Sequence, residues 1–233
     1  MAETAAEQKD IKRLFQTGAH FAQVRSRRHP SMKPFILGSS GRTEIIDLAQ
    51  TETQIEIAKR VLAALAKEGK TVLFVGGKAE VAPLVKEAAE KVGAPYVAAR
   101  WLGGTISNWV EIKKRIDRLA SLLEQKAAGT LAKQHTKLEL VVLGREQKRL
   151  EERLDGITAI TKRPDALLVV DTKHEKHAVK EAKDAGIPVI AIMGSDCNLK
   201  DATYPILAND ASRETVKLIL AELVEAFEKG TIA

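Results

Sequence analysis

From residue 51 onward, the chain alternates short apolar runs with amphipathic stretches of helical spacing. The runs Thr71–Val75, Asp165–Asp171 and Val189–Ile192 contain β-branched residues and lack the polar–apolar alternation of a half-buried strand. Strands of this kind are buried on both faces, and single helices between them connect strands that run parallel. We therefore predict an α/β fold with a doubly wound parallel sheet.

The stretches between and after these strands predict helices at 79–92, 174–185 and 211–228. A glycine follows each stretch within two residues, the last of them being Gly230. Glycine is favoured just past a helix end because it adopts the left-handed conformation without strain. We expect the last helix to end at Gly230.

Residues 106–157 interrupt this alternation with two long stretches of apolar residues three or four positions apart. These residues are Trp109, Ile112, Ile116, Leu119 and Leu123, followed by Leu140, Leu143, Leu150, Leu154 and Ile157, with Gln147 at one seam position. Two helices with narrow apolar seams can bury them only against each other. We predict an antiparallel helical hairpin at 106–157, inserted into a sheet domain formed by 1–105 and 158–233.

A basic segment at 15–43 precedes the predicted sheet. It contains no Asp or Glu between Phe15 and Thr43, and aromatic residues and histidines interleave with its cations, which are Arg25, Arg27, Arg28, Lys33 and Arg42. A run of positive charge without a counter-charge gains most by meeting a polyanion, whose counterions are then released. The net charge of the whole chain is only +6, so the clustering is the stronger signal for nucleic acid.

Composition excludes several classes of protein. Hydrophobic residues make up 45% of the chain, which is too apolar for a disordered protein. Cys197 is the single cysteine, so neither an internal disulfide nor a zinc ribbon is expected. No apolar stretch approaches the roughly 18 residues of a membrane span. The first ten residues include Glu3 and Glu7 and no apolar run, so we expect a cytoplasmic protein without a leader or a membrane partner.

A glycine-rich turn, Gly76-Gly77-Lys78, follows the first predicted strand. A phosphate-binding P-loop needs a glycine five residues before its Gly-Lys pair and a hydroxyl residue after it, but Val72 and Ala79 occupy those positions. The ordinary interpretation is a tight turn between strand and helix. The alternative is a nucleotide-binding α/β enzyme or switch with Gly76, Lys78 and Asp171 at the sheet edge.

Other candidates for catalysis or metal binding have simpler interpretations. Of Asp47, Asp171 and Asp210, only Asp171 has a predictable place at the sheet edge, and capping of helices or turns is the preferred role for all three. His174 and His177 lack a third metal ligand and are interpreted as a solvated helix face. Cys197 has no identifiable base. We predict no catalytic residue, no metal and no cofactor.

The segment Arg100–Thr105 predicts a rigid corner at the root of the hairpin, with Trp101 packed in the core and Arg100 facing phosphate. The hairpin itself carries many cations, which either form ion pairs on a solvated face or contact RNA. These cations are Lys113, Lys114, Arg115, Arg118, Arg145, Lys148, Arg149 and Arg153.

Motifs in a fixed order, from about Ile11 to Phe227, resemble the bacterial S2 family of small-subunit ribosomal proteins. They are Phe15-x-x-Gly-x-His-Phe, Pro30-x-Met-Lys-Pro-Phe-Ile, Glu44-Ile-Ile-Asp-Leu, Val72-Leu-Phe-Val-Gly, Pro95-Tyr-Val-x-x-Arg-Trp-Leu-Gly-Gly-Thr-x-x-Asn, Pro164-Asp-Ala-Leu-x-Val-Val-Asp and Ala185-Gly-Ile-Pro-Val-Ile-Ala-Ile. The stretch Arg-Trp-Leu-Gly-Gly-Thr with Asn108 is the most specific of them.

The resemblance implies a flavodoxin-like parallel sheet with an inserted antiparallel coiled-coil hairpin and no enzymatic activity. It also implies binding to small-subunit rRNA near the junction of head and body, contacts with neighbouring ribosomal proteins, and help in recruiting the mRNA-binding protein S1. A pure protein-interaction adaptor acting through the hairpin is a further alternative. The expected RNA-binding residues are Arg25, Arg27, Arg28, His29, Lys33, Arg42, Arg100, Lys113 and Lys114.

Overall fold

The computed structural model describes residues 10–129, 131, 136–158, 160 and 162–232. Most of the acidic first segment, including Glu3 and Glu7, therefore lies outside the described residues. The strands are β1 Phe21–Val24, β2 Ile36–Ser40, β3 Thr43–Ile46, β4 Val72–Val75, β5 Tyr96–Val97, β6 Ala166–Val170, β7 Val189–Met193 and β8 Tyr204–Leu207. The helices are α1 Leu48–Lys67, α2 Ala82–Lys91, α3 Trp109–Ala127, α4 Lys137–Leu154, α5 Lys176–Asp184 and α6 Arg213–Ile232, and residues 10–16 are also helical.

The main sheet has five parallel strands in the order β5-β4-β6-β7-β8. Counted along the chain this is 2-1-3-4-5, the flavodoxin-like order of doubly wound sheets. The predicted fold class is therefore confirmed. Strand β8 was not predicted, because Tyr204-Pro-Ile-Leu is short and contains a proline, which a strand tolerates at the edge of a sheet.

Alternate residues of the central strands enter two separate cores. In β4, Val72 and Phe74 pack with α1, α2 and α6, whereas Leu73 and Val75 pack on the opposite face with α5 and the root of α3. All four side chains are buried. Because both faces are covered, the strand needs an apolar residue at every position, which is why it lacks alternation.

The prediction that Gly230 ends the last helix is wrong, since α6 continues to Ile232. Gly230 lies against α1, and a Cβ at this position would collide with the backbone of Ala63. The glycine is therefore required by the close approach of two helices rather than by a turn. Sequence spacing alone does not distinguish these two uses of glycine.

The basic segment forms a second, antiparallel sheet in the order β1-β3-β2, which was not predicted. It is fixed to the main body at the loop after β7, where the N–H of His29 donates to the carbonyl of Ser195 at 2.9 Å. The N–H of Gln23 donates to the Ser195 hydroxyl, also at 2.9 Å. Met32 and Ile46 pack against residues of β7 and β8. The basic segment is therefore part of the folded body.

Helices α3 and α4 occupy the interval between β5 and β6 and contact each other, with Arg118 forming an ion pair with Glu146 across them at 3.3 Å. Leu122 is buried at 1% exposure and Leu123 is 42% exposed, so the predicted seam position at Leu123 is wrong by one residue. None of the described helices combines the length and the apolar composition needed to cross a bilayer. The coiled-coil form of the hairpin and the domain boundaries stay predictions.

The loop from β5 to α3 is held by one carboxylate on α5. Glu181 accepts hydrogen bonds from the Trp101 indole N–H at 3.2 Å and from the backbone N–H groups of Gly104 at 2.8 Å and Ile106 at 3.1 Å. Burial raises the pKa of Glu181, but these hydrogen bonds outweigh it and bring the pKa below its ordinary value of 4.5. Trp101 is buried, as predicted, and the anionic form of Glu181 fixes the corner around it.

Replacing Glu181 with Gln is expected to lower the free energy of unfolding at pH 7 by about 1–2 kcal/mol, since the donors on Trp101, Gly104, Ile106 and Ser107 lose a charged acceptor. A carboxyl whose pKa is lower in the folded chain stabilises the fold above about pH 4.5 and loses this contribution as the pH falls. Urea unfolding of the unchanged protein and of Glu181→Gln should therefore show a difference in the free energy of unfolding that becomes smaller below pH 4.5.

The matched control is Asp184→Asn, an exposed carboxylate on the same helix, which should change stability little at either pH. A Glu181→Gln difference that is the same at pH 3 and pH 7 would show that the charge of Glu181 does not hold the loop.

Candidate nucleic-acid interface

A groove on the antiparallel sheet brings together four cations of the basic segment. It has a volume of about 850 Å³, and its charged and small lining residues are Arg25, Ser26, Arg28, Lys33, Gly38, Ser39, Gly41, Arg42 and Glu44. The hairpin of β2 and β3 supplies Arg42 at its turn, and the 3-10 turn Pro30–Phe35 supplies Lys33. The fold of the segment thus concentrates charge that the sequence spreads over 18 residues, from 25 to 42.

Three of these cations are exposed and unpaired. The side chains of Arg25, Lys33 and Arg42 make no ion pair or hydrogen bond with any residue that the structure describes. Their charges are therefore not neutralised within the described protein. Such charges at the rim of a concave surface attract anions and are screened only by solvent and salt.

Arg28 differs from the other three because it has an internal partner. Its guanidinium donates to Glu44 Oε1 at 2.7 Å, with the Arg28 side chain 18% exposed and the Glu44 side chain 5% exposed. Glu44 lies just beyond the acid-free stretch, so the basic segment has a counter-charge that its sequence window does not contain. Arg28 is consequently held in one place at the floor of the groove.

The remaining predicted residues of the segment have different surroundings. The Nδ1 atom of His29 lies 2.7 Å from the Ser31 hydroxyl and accepts from the Ser31 N–H, so this histidine caps the 3-10 turn. Arg27 is exposed and does not line the groove. These residues are neighbours in the chain and were predicted together. In the structure, His29 caps the 3-10 turn and Arg27 faces outward, so neither lines the groove.

Arg100 and the hairpin lysines lie elsewhere. Arg100 borders a second cleft of about 370 Å³ with His174, Lys176 and His177. Lys113 is exposed on α3 without a partner among the described residues, whereas its neighbour Lys114 forms an ion pair with Glu111. The predicted RNA-binding residues therefore form one groove and separate outlying positions rather than one continuous site.

The glycine-rich turn at the sheet edge is already occupied by internal contacts. The Gly77 N–H donates to Glu175 Oε1 at 2.9 Å, and the Lys78 ammonium lies 3.2 Å from Asp171 Oδ2. A Cβ on Gly77 would collide with the Ala99 carbonyl. The groups that would hold a nucleotide phosphate thus bind the protein itself, in agreement with the interpretation of a tight turn.

Asp210 was not expected near Asp171, but the structure brings them together. Burial, followed by the charge of Asp171, raises the pKa of Asp210 to about 7. Sequence reasoning missed this pair because Asp210 is placed by β8, which it also missed. Of the other carboxylates considered, Asp47 caps α1 as predicted, accepting from the Ala49 N–H.

Asp171, Asp210 and Cys197 offer ligand atoms within 4.8 Å of one another, a geometry that can hold a metal ion. The ammonium of Lys78 lies beside the same carboxylates and supplies positive charge to them. Burial raises the pKa of the Cys197 thiol to about 11, which keeps it protonated and unreactive at neutral pH. Within this cluster Asp171 therefore has an internal counter-charge in Lys78.

Comparisons with known proteins agree with this architecture. Residues 14–230 match the family model described as Ribosomal protein S2. The small ribosomal subunit protein uS2 of Dictyoglomus thermophilum is 40% identical over 220 residues, which cover 94% of this chain and 89% of the relative. The uS2 protein of Acidothermus cellulolyticus is 40% identical over 96% of this chain and 81% of its own length. The uS2c protein of Rhodomonas salina is 38% identical over 94% and 90%.

Replacing Arg28 with Ala is expected to lower the free energy of unfolding by about 3 kcal/mol, because it leaves the buried carboxylate of Glu44 without its partner. Arg25→Ala is the matched control, and it should cost less than about 0.5 kcal/mol because Arg25 is exposed and unpaired. Urea unfolding of the two variants measures both values. Equal losses would show that the Arg28–Glu44 pair contributes no more than an exposed arginine.

Proposed function

Because the chain belongs to the ribosomal protein S2 family, we propose that it binds small-subunit rRNA near the junction of head and body, with its basic groove as the principal contact. Its role is that of a structural constituent of the small ribosomal subunit in translation. Members of this family are structural proteins, and the chain is not an enzyme. It works in the cytoplasm on the ribosome.

The groove supports this proposal through its unneutralised charge. Arg25, Lys33 and Arg42 surround a concave surface on a sheet that is itself fixed to the main body through Ser195. Contacts to phosphate position a protein on RNA without reading its sequence, and they gain from the release of counterions. A rigid sheet with exposed cations is suited to such docking, since little conformational freedom is lost on binding.

Outlying cations extend the proposed interface. Arg100 at the second cleft and Lys113 on α3 are exposed and have no partner among the described residues. Arg27 is likewise exposed beside the groove. We assign these residues to secondary phosphate contacts, whereas Lys114 and Arg28 already have carboxylate partners and contribute less free charge.

The proposal includes neighbouring small-subunit proteins as partners, among them the mRNA-binding protein S1, which the family resemblance implies. Small subunits assembled without this chain are then expected to carry less S1. Quantitative mass spectrometry of the purified particles measures the ratio of S1 to other small-subunit proteins. An unchanged ratio would remove S1 from the partners of this chain.

A nucleotide-binding role at the sheet edge has less support. Gly77 and Lys78 donate to Glu175 and Asp171, so binding a phosphate there would first require breaking these contacts. The groove on the antiparallel sheet needs no such rearrangement at its three unpaired cations. The structural features therefore favour RNA over a mononucleotide.

The triple variant Arg25→Ala, Lys33→Ala, Arg42→Ala is expected to bind small-subunit rRNA more weakly and with a flatter salt dependence. Each lost phosphate contact should lower the slope of log affinity against log salt by about 0.7 to 0.9, so the three substitutions together should lower it by about 2 to 3. Filter binding of labelled rRNA over a range of salt concentrations measures it.

The matched control is Lys67→Ala, Lys180→Ala, Lys217→Ala, which removes the same charge from exposed lysines outside the groove. It should lower affinity slightly through long-range electrostatics and leave the slope close to that of the unchanged protein. Equal slopes for the two triple variants would exclude the groove as the principal contact.

A further inference from the structure

The second carboxylate oxygen of Glu44 is an unexplained feature of the groove. Glu44 is 4% exposed, its Oε1 accepts from Arg28, and its Oε2 is buried with no hydrogen-bond partner. Buried polar oxygens are nearly always paired, and an ionised oxygen left without a donor is unfavourable. Glu44 also lines the groove, so rotation of its carboxylate would bring Oε2 within reach of a donor on a ligand lying there.

The groove can therefore bind a ligand that carries two kinds of group. Arg25, Lys33 and Arg42 attract anionic groups at the rim, whereas Glu44 repels anions and can accept a hydrogen bond from a donor at the floor. A ribonucleotide strand carries both, since each ribose bears a 2′-hydroxyl donor between successive phosphates. A DNA strand has the same phosphates and lacks this donor.

The side of the groove formed by β2 and its turn leaves room for a sugar–phosphate backbone. A Cβ built on Gly38 or on Gly41 would meet no atom within 4 Å, so the space above these residues is open. Ser39 lies between them on the lining. A strand can therefore approach the main chain of the β2–β3 hairpin closely enough to place a ribose over the floor.

We propose, on the basis of the RNA-binding function above, that Glu44 accepts a hydrogen bond from a ribose 2′-hydroxyl and so makes the groove selective for RNA over DNA. The terminal torsion of a glutamate side chain rotates over a broad range, which allows Oε2 to turn toward the groove. Arg28 remains the partner of the other carboxylate oxygen. Glu44 is thus a specificity-determining residue, and the rim cations supply affinity.

The test compares two single strands of the same twelve-nucleotide mixed sequence, one of RNA and one with 2′-fluoro groups in place of the 2′-hydroxyls. Fluorine is small and cannot donate, so the two strands differ mainly in the donor. The full-length protein is expected to bind the RNA strand about tenfold more tightly at low salt, the gain for one hydrogen bond to a charged group. Fluorescence anisotropy of labelled strands measures both affinities.

Three variants test whether Glu44 is the source of the preference for RNA over the 2′-fluoro strand. Glu44→Gln should bring the ratio of the two affinities close to one, since its amide N–H₂ takes the place of the second acceptor. Glu80→Gln, an exposed change outside the groove, should keep the ratio at about ten. Arg25→Ala should weaken both strands equally and leave the ratio unchanged, because it removes only a phosphate contact.

Equal affinities of the unchanged protein for the two strands would overturn the proposal, and this comparison needs no variant to fold. A tenfold preference that survives in Glu44→Gln would also overturn it. Failure of both strands to bind at low salt would contradict the RNA-binding function itself, an outcome distinct from binding without preference. Tight RNA binding with no preference would leave that function standing and remove only the role of Glu44.

Discussion

The strands β4, β6 and β7 are buried on both faces, and this burial sets where the other elements can lie. The backbones of these strands are satisfied by parallel pairing, and their side chains enter two cores, so helices must cover both sides of the sheet. The carboxyl ends of the strands then meet at one edge. The loop after β7 at this edge presents Ser195, to which the antiparallel sheet is bonded. The basic groove thus takes its position from the parallel sheet, although none of its residues belongs to that sheet.

Charge pairing divides the cations of the chain into two groups with different roles. Arg28, Lys78 and Lys114 meet carboxylates within the protein, and the first two lie in partly buried places where an ion pair fixes geometry. Arg25, Lys33 and Arg42 meet no carboxylate among the described residues and surround the groove. Paired charges gain little from an external anion, because binding it would compete with an existing contact. The unpaired charges are therefore the ones available to an external anion, and the net charge of +6 understates this local concentration of charge.

The parallel sheet has the strand order of many nucleotide-binding proteins, yet the polar groups at the edge where such ligands usually lie bind one another. The partly exposed Lys78 pairs there with the buried Asp171, and Asp171 adopts a left-handed backbone conformation with φ of 65° while accepting from the N–H groups of the next turn. A backbone conformation of this kind persists only where surrounding contacts compensate its strain. The same architecture therefore serves as a scaffold, and the RNA contact proposed above lies on the added antiparallel sheet rather than at the strand ends.

Apolar periodicity and local motifs are properties of neighbouring residues, so the sequence was enough to predict the parallel sheet, its strands β4, β6 and β7 with the helices between them, and the family. It also identified the basic segment. The folded chain was needed to show how that segment folds, that Arg28 is paired with Glu44, and that Asp210 lies beside Asp171. It was likewise needed to show that Gly230 serves helix packing and that Leu122, not Leu123, fills the seam. All but the last of these features depend on contacts between residues that are distant in the chain, and local periodicity carries no information on which distant partner a side chain meets. The choice of Leu122 over Leu123 depends on how far α3 is rotated about its axis, which the spacing of apolar residues does not define to one residue.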